Sequence, residues 1–395
     1  MKIFCIFFSD TLYYNVPRDQ IKARYTMAKI KNFVRQELTL CIAFAAALIS
    51  CFFVRPDAEY LGYIDFRTLA LLYCLMVVVA GLRSAGVFSN LAHSLCARAG
   101  SVRAMAAILT ALCFFSSMLI TNDVALLTFV PFAVVVLGLA HQEKDLLWVV
   151  LLQTVAANLG SMLTPVGNPQ NLYLYSRYGM DMVGFLTTVG PVWLISLALI
   201  GLLCLRFSKK HISVFLGEKP ELHKKELWLY LALFALCMLV VLRVLDWPVL
   251  LAVLLPVLFV LDRKTLREAD FLLLLTFVCF FVFAGNLARI PAVDSVLRSV
   301  LSGHELLVSA LVSQVISNVP AALLLSGFTE NAGALLLGVN IGGLGTPVAS
   351  LASLISLKLY SHSENASSAA FLVKFSLVNF SMLAVLLLVG QLLLV

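Results

Sequence analysis

Apolar residues occur along this chain in long uninterrupted runs rather than in single stripes. Such runs are long enough, or nearly so, to cross a hydrocarbon core, which takes about 20 helical residues. A β-barrel is excluded, because its strands alternate polar and apolar residues one by one. The pattern predicts nine helical crossings, at residues 38–54, 66–84, 146–179, 184–206, 227–243, 247–262, 270–289, 332–360 and 369–393.

Two further apolar segments carry a polar break in the middle. Residues 104–140 contain the sequence TND at 121–123, and residues 305–330 contain SNVP at 317–320. Each half has only about 11 to 18 residues, which is short for a crossing. We therefore expect both segments to fold as re-entrant hairpins that enter and leave on the same side.

Two of the predicted crossings are themselves interrupted, and the interruptions match. NLGSMLTPVGNPQNLYLY at 158–175 aligns with NIGGLGTPVASLASLISL at 340–357. An aspartate-led helix, an Ala-Gly pair and a hairpin precede each break in the same order. Unpaired backbone groups are costly in lipid, so all four breaks must face protein or a wet cavity.

The order of elements predicts the fold class. Five crossings run from the helix that starts at 38, itself included, up to the equivalent helix that starts at 247, and an odd number places the halves in opposite orientation. The sequence therefore predicts an all-α polytopic membrane protein with two inverted-topology repeats, each with a re-entrant hairpin and a discontinuous transmembrane helix, as in secondary transporters. The predicted units are a cytoplasmic tail at 1–37, repeat 1 at 38–206, a linker and connecting helix at 207–246, and repeat 2 at 247–395.

Composition and charge agree with this layout. The chain is 62% hydrophobic and 12% charged, against about 25% charged residues in soluble domains. Lys and Arg collect on cytoplasmic loops, which predicts a cytoplasmic N-terminus and an outer C-terminus in an inner membrane. The net charge of +7 then reflects loop orientation rather than nucleic-acid binding. All but six of the 28 Lys and Arg fall inside; the exceptions are Arg55, Arg67, Arg177, Arg243, Arg289 and Arg298.

Two minor features complete the organisation. The nine scattered cysteines have no CxxC motif and are expected to serve as apolar packing residues. Met27 begins MAKIKNFVRQ and is an alternative start site for the chain.

The breaks carry residues that suit ion binding. Asn168 before Pro169, Thr346 before Pro347, and Pro320 after the second tip are typical of helix starts. Helix starts that face a cavity present free N–H groups to an anion. Helix ends present carbonyl oxygens, and the break glycines are expected to expose them to a coupling cation such as sodium; these are Gly160, Gly167, Gly342 and Gly345.

Asp123 is the only carboxylate between Asp65 and Glu143, at the tip of an apolar hairpin. Ionisable groups at such depth are costly and usually functional. Three roles stay open from the sequence: a sodium ligand, a protonatable coupling group, or a helix N-cap. The equivalent residue in the second repeat, Val319, carries no charge.

At the tips LITNDVAL and SQVISNVP and the break LTPVGNPQN, the sequence resembles the ion transporter superfamily, which contains divalent-anion/sodium symporters, citrate transporters and arsenite antiporters. The resemblance covers the chain from about residue 38. It implies a homodimer, and it implies that sodium and a substrate carboxylate bind at the tips and breaks. By position these residues are Thr121, Asn122, Thr164, Pro165, Ser317, Asn318, Thr346 and Pro347.

The chain departs from the symporter pattern Ser-Asn-Thr at the third tip residue, which is Asp123 or Val319. A carboxylate here would repel citrate or succinate unless it were neutralised. We therefore expect a transporter for a small anion, coupled to sodium or protons. The alternatives are arsenite efflux or sodium/proton antiport. A channel or a membrane enzyme fits less well, and no catalytic residue, metal site or cofactor beyond possible sodium ions is expected.

Overall fold

The computed structural model describes Val34 and residues 37–212, 214–363 and 366–394. Most of the predicted cytoplasmic tail, including Met27, lies outside these residues. Regular structure in the described part is helical, with one isolated bridge between Ser101 and His211. The chain is an all-α polytopic membrane protein, as the apolar runs predict.

Within the described residues the first half shows nine α-helices. They are α1 (Leu38–Phe53), α2 (Tyr60–Tyr63), α3 (Phe66–Ser84), α4 (Val87–Cys96), α5 (Val102–Ile120), α6 (Asn122–Leu139), α7 (Glu143–Gly160), α8 (Pro169–Arg177) and α9 (Met182–Cys204). The connecting helix α10 (Lys224–Val241) follows the linker.

The second half repeats this order after α10. Its helices are α11 (Trp247–Leu261), α12 (Phe271–Ala288), α13 (Pro291–Leu301), α14 (Glu305–Ile316), α15 (Asn318–Leu325), α16 (Ala332–Ile341), α17 (Leu351–Ser361) and α18 (Ser368–Leu394). The aspartates that lead α3 and α12 are both N-caps: Asp65 accepts from the Thr68 N–H at 2.9 Å, and Asp270 from the Leu273 N–H at 2.9 Å.

The hairpins differ in length from the prediction. The arms α5 and α6 have 19 and 18 residues, so each is long enough to cross. The length of these arms therefore does not support a re-entrant path for the first hairpin, and that path stays a prediction. The second hairpin agrees better with a re-entrant path, since its arms α14 and α15 have only 12 and 8 residues. Among the described residues, seven helices pass as crossings by length and composition, or eight with the bent pair α13 and α14.

Two amphipathic helices, α4 and α13, were not predicted from the apolar runs. In α4 the buried residues Phe88, Ala92 and Cys96 recur every fourth position, which places them on one face. In α13 only Leu301 is buried, and the helix meets α14 at a bend of 114°. Both helices lie between the aspartate-led helix and the hairpin of their own half, so the correspondence between halves extends to them.

The two halves pack against each other reciprocally. The first helix of one half contacts the second helix of the other, α1 with α12 and α11 with α3. The broken helices and hairpins lie at the centre, where nearly all residues of α7 and α16 are buried. This packing brings the four breaks together.

Candidate substrate and ion site

The first broken helix follows the prediction. After α7 a 3-10 turn covers Ser161–Leu163, and the chain is extended at Thr164 before α8 begins at Pro169. Asn168 is the N-cap, and its side chain accepts from the Asn171 N–H at 3.0 Å. The Asn171 amide in turn donates to the carbonyls of Met162 and Thr164, both at 3.2 Å, which satisfies the broken backbone.

The second broken helix resumes later than predicted. Its second part, α17, starts at Leu351 with Ser350 at the cap, so Thr346-Pro347 is not a helix start. Gln314 satisfies the unwound backbone here: its amide donates to the carbonyls of Gly342 at 2.9 Å and Leu344 at 3.0 Å, and it accepts from the Thr346 N–H at 2.8 Å. No helix starts at this Thr-Pro pair because the chain stays irregular through Ala349.

Both hairpin tips adopt the same unusual backbone conformation. Thr121 has φ 68° and ψ 152°, and Ser317 has φ 75° and ψ 155°. L residues rarely occupy this region, which costs about 1 to 3 kcal/mol and is concentrated at functional sites. The helices α6 and α15 begin directly after these residues, at Asn122 and Asn318. The predicted equivalence of the two tips is therefore present in the backbone.

The threonines of the two TPV motifs face the hairpins rather than a cavity. The Thr164 hydroxyl donates to the Met118 carbonyl, and the Thr346 hydroxyl donates to the Gln314 carbonyl at 2.9 Å. Both acceptors lie three residues before a tip. These threonines, with Pro165 and Pro347, are absent from the described lining of the cavities below, and the two threonine hydroxyls link each break to its hairpin.

The break glycines allow close backbone packing. A Cβ at Gly160 would collide with the Phe114 carbonyl of α5, and one at Gly342 would lie 2.8 Å from Ala310 Cα of α14. Gly167 packs on the Ser161 backbone, and Gly345 has φ +100°. None of the four lines a cavity described below, and the Gly342 carbonyl accepts from Gln314. Their role as cation ligands stays a prediction.

Two asparagines that the sequence matched but did not assign to the site join the halves. Asn158 of α7 accepts from Asn122 at 3.0 Å and from the Ser350 hydroxyl at 2.8 Å. Asn340 of α16 accepts from Asn168 at 3.2 Å and donates to Asn171 at 2.6 Å. Each therefore reaches the break of the opposite half.

The starts of four helices meet at one cavity of about 180 Å³, which we call the central cavity. Its lining includes the first residues of α6, α8, α15 and α17 and both hairpin tips. The predicted residues that line it are Asn122, Asp123, Ser317 and Asn318, and the lining residues that sequence reasoning missed include Glu37, Gln170, Asp270, Thr276 and Ser350.

The charged side chains on the described lining of the central cavity are all carboxylates. They are Glu37, Asp123 and Asp270. Glu37 immediately precedes α1, and its burial, with Asp270 nearby, raises its pKa above the ordinary value. The cavity thus combines a negative side with the partly positive starts of four helices.

Asp123 does not cap a helix, so that alternative is wrong. It lies in the first turn of α6, after Asn122, and its own N–H donates to the Asn122 side chain at 2.9 Å. Its Oδ1 atom is buried and has no hydrogen-bond partner within the described structure. The sodium-ligand and protonatable roles remain open.

A second cavity of about 240 Å³, the side cavity, adjoins the central one through Asp123, Pro169 and Asp270. Thr121 and Asn168 line it too, so the site residues lie at the junction of both spaces. It continues along the C-terminal half of α3 to Arg83 and Glu268, which are 4.0 Å apart at exposed positions.

A third cavity of about 460 Å³, the outer cavity, lies at the opposite end of α3. The N-terminal end of α3 and the C-terminal end of α12 line it, whereas the side cavity has the C-terminal half of α3 and the N-terminal end of α12. The helices α3 and α12 therefore run in opposite directions past the same two spaces. Inverted repeats require this arrangement, although the inversion of the complete repeats stays a prediction.

Two broken helices and two hairpins that surround a buried polar cavity are an arrangement found in membrane transporters. The chain belongs to the citrate transporter family, whose model matches residues 27–333. This confirms the resemblance seen at the tips and breaks, and it identifies a membrane transporter rather than an enzyme.

Individual relatives agree at the level of class. An uncharacterized transporter of Methanocaldococcus jannaschii is 33% identical over 84% of this chain and 90% of its own length. An inner membrane protein of Escherichia coli is 32% identical over 75% of this chain and 80% of its own. A silicon efflux transporter of Oryza sativa subsp. japonica is 32% identical over 40% of this chain and 33% of its own.

Proposed function

We propose that this transporter carries a small oxyanion, or the weak acid of one, together with sodium or a proton by alternating access. One observation carries the proposal: the starts of four helices and the buried carboxylate of Asp123 line the same cavity of about 180 Å³. The helix starts suit an anion, and the carboxylate suits a cation. Both can therefore bind side by side.

The helix starts supply the anion site without arginine or lysine on the described lining. Each helix N-terminus carries the equivalent of roughly half a positive charge, together with free N–H groups. The volume of about 180 Å³ is below the roughly 300–1,000 Å³ of sites for drug-sized ligands. Both features favour a small inorganic oxyanion or short carboxylate over citrate. The rice relative is named a silicon efflux transporter, and a silicon oxyacid is similarly small.

The carboxylates supply the coupling. An anion that enters beside Asp123, Glu37 and Asp270 meets up to three negative charges. Removing charges from water without compensation costs several kcal/mol per ion, so the anion binds well only when a cation neutralises this side. Asp123 is the residue for that role, because its Oδ1 is buried and unpartnered.

The side cavity provides the path by which substrate and cation reach the central cavity. It leads from Thr121 and Asp123 to Arg83 and Glu268, which the distribution of Lys and Arg predicts to lie on the cytoplasmic side. With this orientation, access from the cytoplasm supports an inward-facing state as part of the proposal. A homodimer remains a prediction from the family resemblance.

The carboxylates also favour a second candidate, sodium/proton antiport, in which the cation alone is the substrate. Arsenite efflux is a form of the main proposal, because arsenite is a small oxyacid. Transport with and without an anion separates the two candidates.

The test is uptake by the purified protein in liposomes. Labelled acetate, phosphate, arsenite, silicate and citrate are offered under an imposed sodium or pH gradient. We expect accumulation of at least one small oxyanion or oxyacid, and Asp123→Asn should lower gradient-driven uptake at least about tenfold, the effect of about 1.4 kcal/mol of lost ion binding. Asp181→Asn is the matched control, since Asp181 caps α9 at an exposed position and asparagine also caps.

Two results would contradict the proposal. Full activity in Asn122→Ala and Asn318→Ala would show that the tips are not the site. Sodium/proton exchange that is insensitive to every anion would favour antiport instead.

A further inference from the structure

The outer cavity shares no lining residue with the central or side cavities. Its inner wall includes Tyr173 of α8 and Phe281 of α12, whose ring centroids are 5.5 Å apart. The Tyr173 hydroxyl is also hydrogen-bonded to the Ser326 hydroxyl at 2.7 Å. Buried contacts therefore close this space off from the centre.

Two arginines line the outer cavity, Arg67 of α3 and Arg177 of α8. Within the described residues neither is within ion-pair distance of a carboxylate. Asp65, which also lines the cavity, is committed to its own helix, since its two oxygens accept from the N–H and the hydroxyl of Thr68 at 2.9 and 2.5 Å. Two guanidinium groups thus share a cavity without an anionic partner.

Three other arginines predicted to lie outside the cytoplasm have clear structural partners. Arg289 pairs with Asp57 at 2.8 Å, Arg298 with Asp294 at 2.9 Å, and Arg243 donates to the carbonyl of Gly179 at 3.0 Å. Arg67 donates through Nη2 to the Val240 carbonyl at 3.0 Å, but its Nε is buried and has no partner in the described structure. Arg67 therefore lines the cavity and keeps a guanidinium donor, Nε, that no described residue accepts from.

We propose that the outer cavity is a second anion site, in which Arg67 and Arg177 bind a small oxyanion such as a carboxylate or phosphate group. The planar fork of a guanidinium matches two oxygens of such a group and gives strong charge-assisted hydrogen bonds. The hydroxyl of Ser176, which also lines the cavity, is a further available donor.

The position of the site suggests its place in transport, a point that rests on the proposed function. The helix α8 begins at the central cavity with Pro169 and ends at the outer cavity with Arg177. Eight residues of helix span roughly 12 Å. An anion held at Arg177 therefore lies one short helix from the central site, with Tyr173 between the two. The outer site would load or release the substrate on the side opposite to Arg83.

The test measures anion binding by the purified full-length protein in lipid-free detergent. Acetate and inorganic phosphate are titrated, with acetamide as the neutral counterpart of acetate, and the shift of the unfolding temperature gives an apparent Kd. We expect Arg177→Gln and Arg67→Gln to raise this Kd about tenfold in the Asn318→Ala background, where the central site is weakened. Arg55→Gln, which removes the same charge from an exposed position on the same side, should leave Kd unchanged.

If Asn318→Ala folds poorly, the apparent Kd values are compared for the same arginine substitutions in the otherwise wild-type chain. Equal Kd values for Arg177→Gln and Arg55→Gln would overturn the inference, as would stabilisation by acetamide as strong as by acetate. The inference would also be overturned if acetate and phosphate did not bind and only vesicles of anionic lipid stabilised the protein. The ligand would then be a lipid headgroup. None of these outcomes depends on whether Asp123 couples transport, so the two proposals fail separately.

Discussion

The tip residues Thr121 and Ser317 hold a backbone conformation that side chains disfavour. The cost of about 1 to 3 kcal/mol is tolerated twice, at equivalent positions that end one helix and precede the next. A sharp reversal there lets Asn122 and Asn318 start their helices at the central cavity. The strain therefore positions the helix starts that would bind the anion.

Replacement of either tip residue by glycine should relieve this strain. Glycine adopts positive φ freely, and its entropic cost of about 0.5 to 1 kcal/mol is smaller than most of the strain. We expect Thr121→Gly and Ser317→Gly to raise the free energy of unfolding by about 1 kcal/mol, measured by chemical denaturation in detergent. Thr121→Ala keeps the strain and should show no gain. A loss of stability in both glycine variants would mean that the tip side chains contribute more than their backbone costs.

At the scale of elements, a threonine hydroxyl links each break to its hairpin, and in the second half Gln314 adds further hydrogen bonds. Thr164 and Thr346 donate to carbonyls of α5 and α14 at matching positions. The sequence assigned both residues to the substrate site, and that role stays a prediction, because in the structure their hydroxyls donate to hairpin carbonyls. A hydroxyl next to a helix break looks the same in the sequence whether it faces a ligand or a neighbouring carbonyl, and only packing decides.

Removal of either threonine hydroxyl should weaken the attachment without emptying the cavity. We expect Thr164→Val and Thr346→Val each to destabilise the protein by about 0.6 to 1.5 kcal/mol, as buried side-chain hydrogen bonds do. Thr187→Val is the control, because the Thr187 hydroxyl bonds to carbonyls of its own helix at an exposed position. Denaturation measures stability, and a substrate Kd changed more than stability would instead place these hydroxyls at the ligand.

At the scale of the whole molecule, the sequence predicted the features that its two halves share. Matched motifs located both tips and both breaks, because the residues that break a helix in lipid are few and conspicuous. Glu37 and Asp270 escaped prediction, since each lies at a helix end far along the chain from Asp123 and joins it only through the packing of α1 against α12. The helix α4 was missed because its apolar residues form a stripe rather than a run.

The predicted orientation of the first half in the membrane can be tested by labelling. Ser176→Cys lies at the outer cavity, and Ser84→Cys lies near Arg83 at the opposite end of α3. In a variant without the native cysteines, an impermeant thiol reagent should modify residue 176 from outside intact cells and residue 84 only after the membrane is opened. Modification of both from the same side would disprove the predicted orientation of the first half.

The two tips match in backbone but differ in charge, since the counterpart of Asp123 is Val319. The two tips together supply one carboxylate, which can bind one proton or one cation in each transport cycle. Two aspartates would bind two. A monovalent anion that travels with one proton or sodium ion carries no net current. We therefore expect transport to be insensitive to membrane voltage, and Val319→Asp, by adding a second cation, should make it electrogenic.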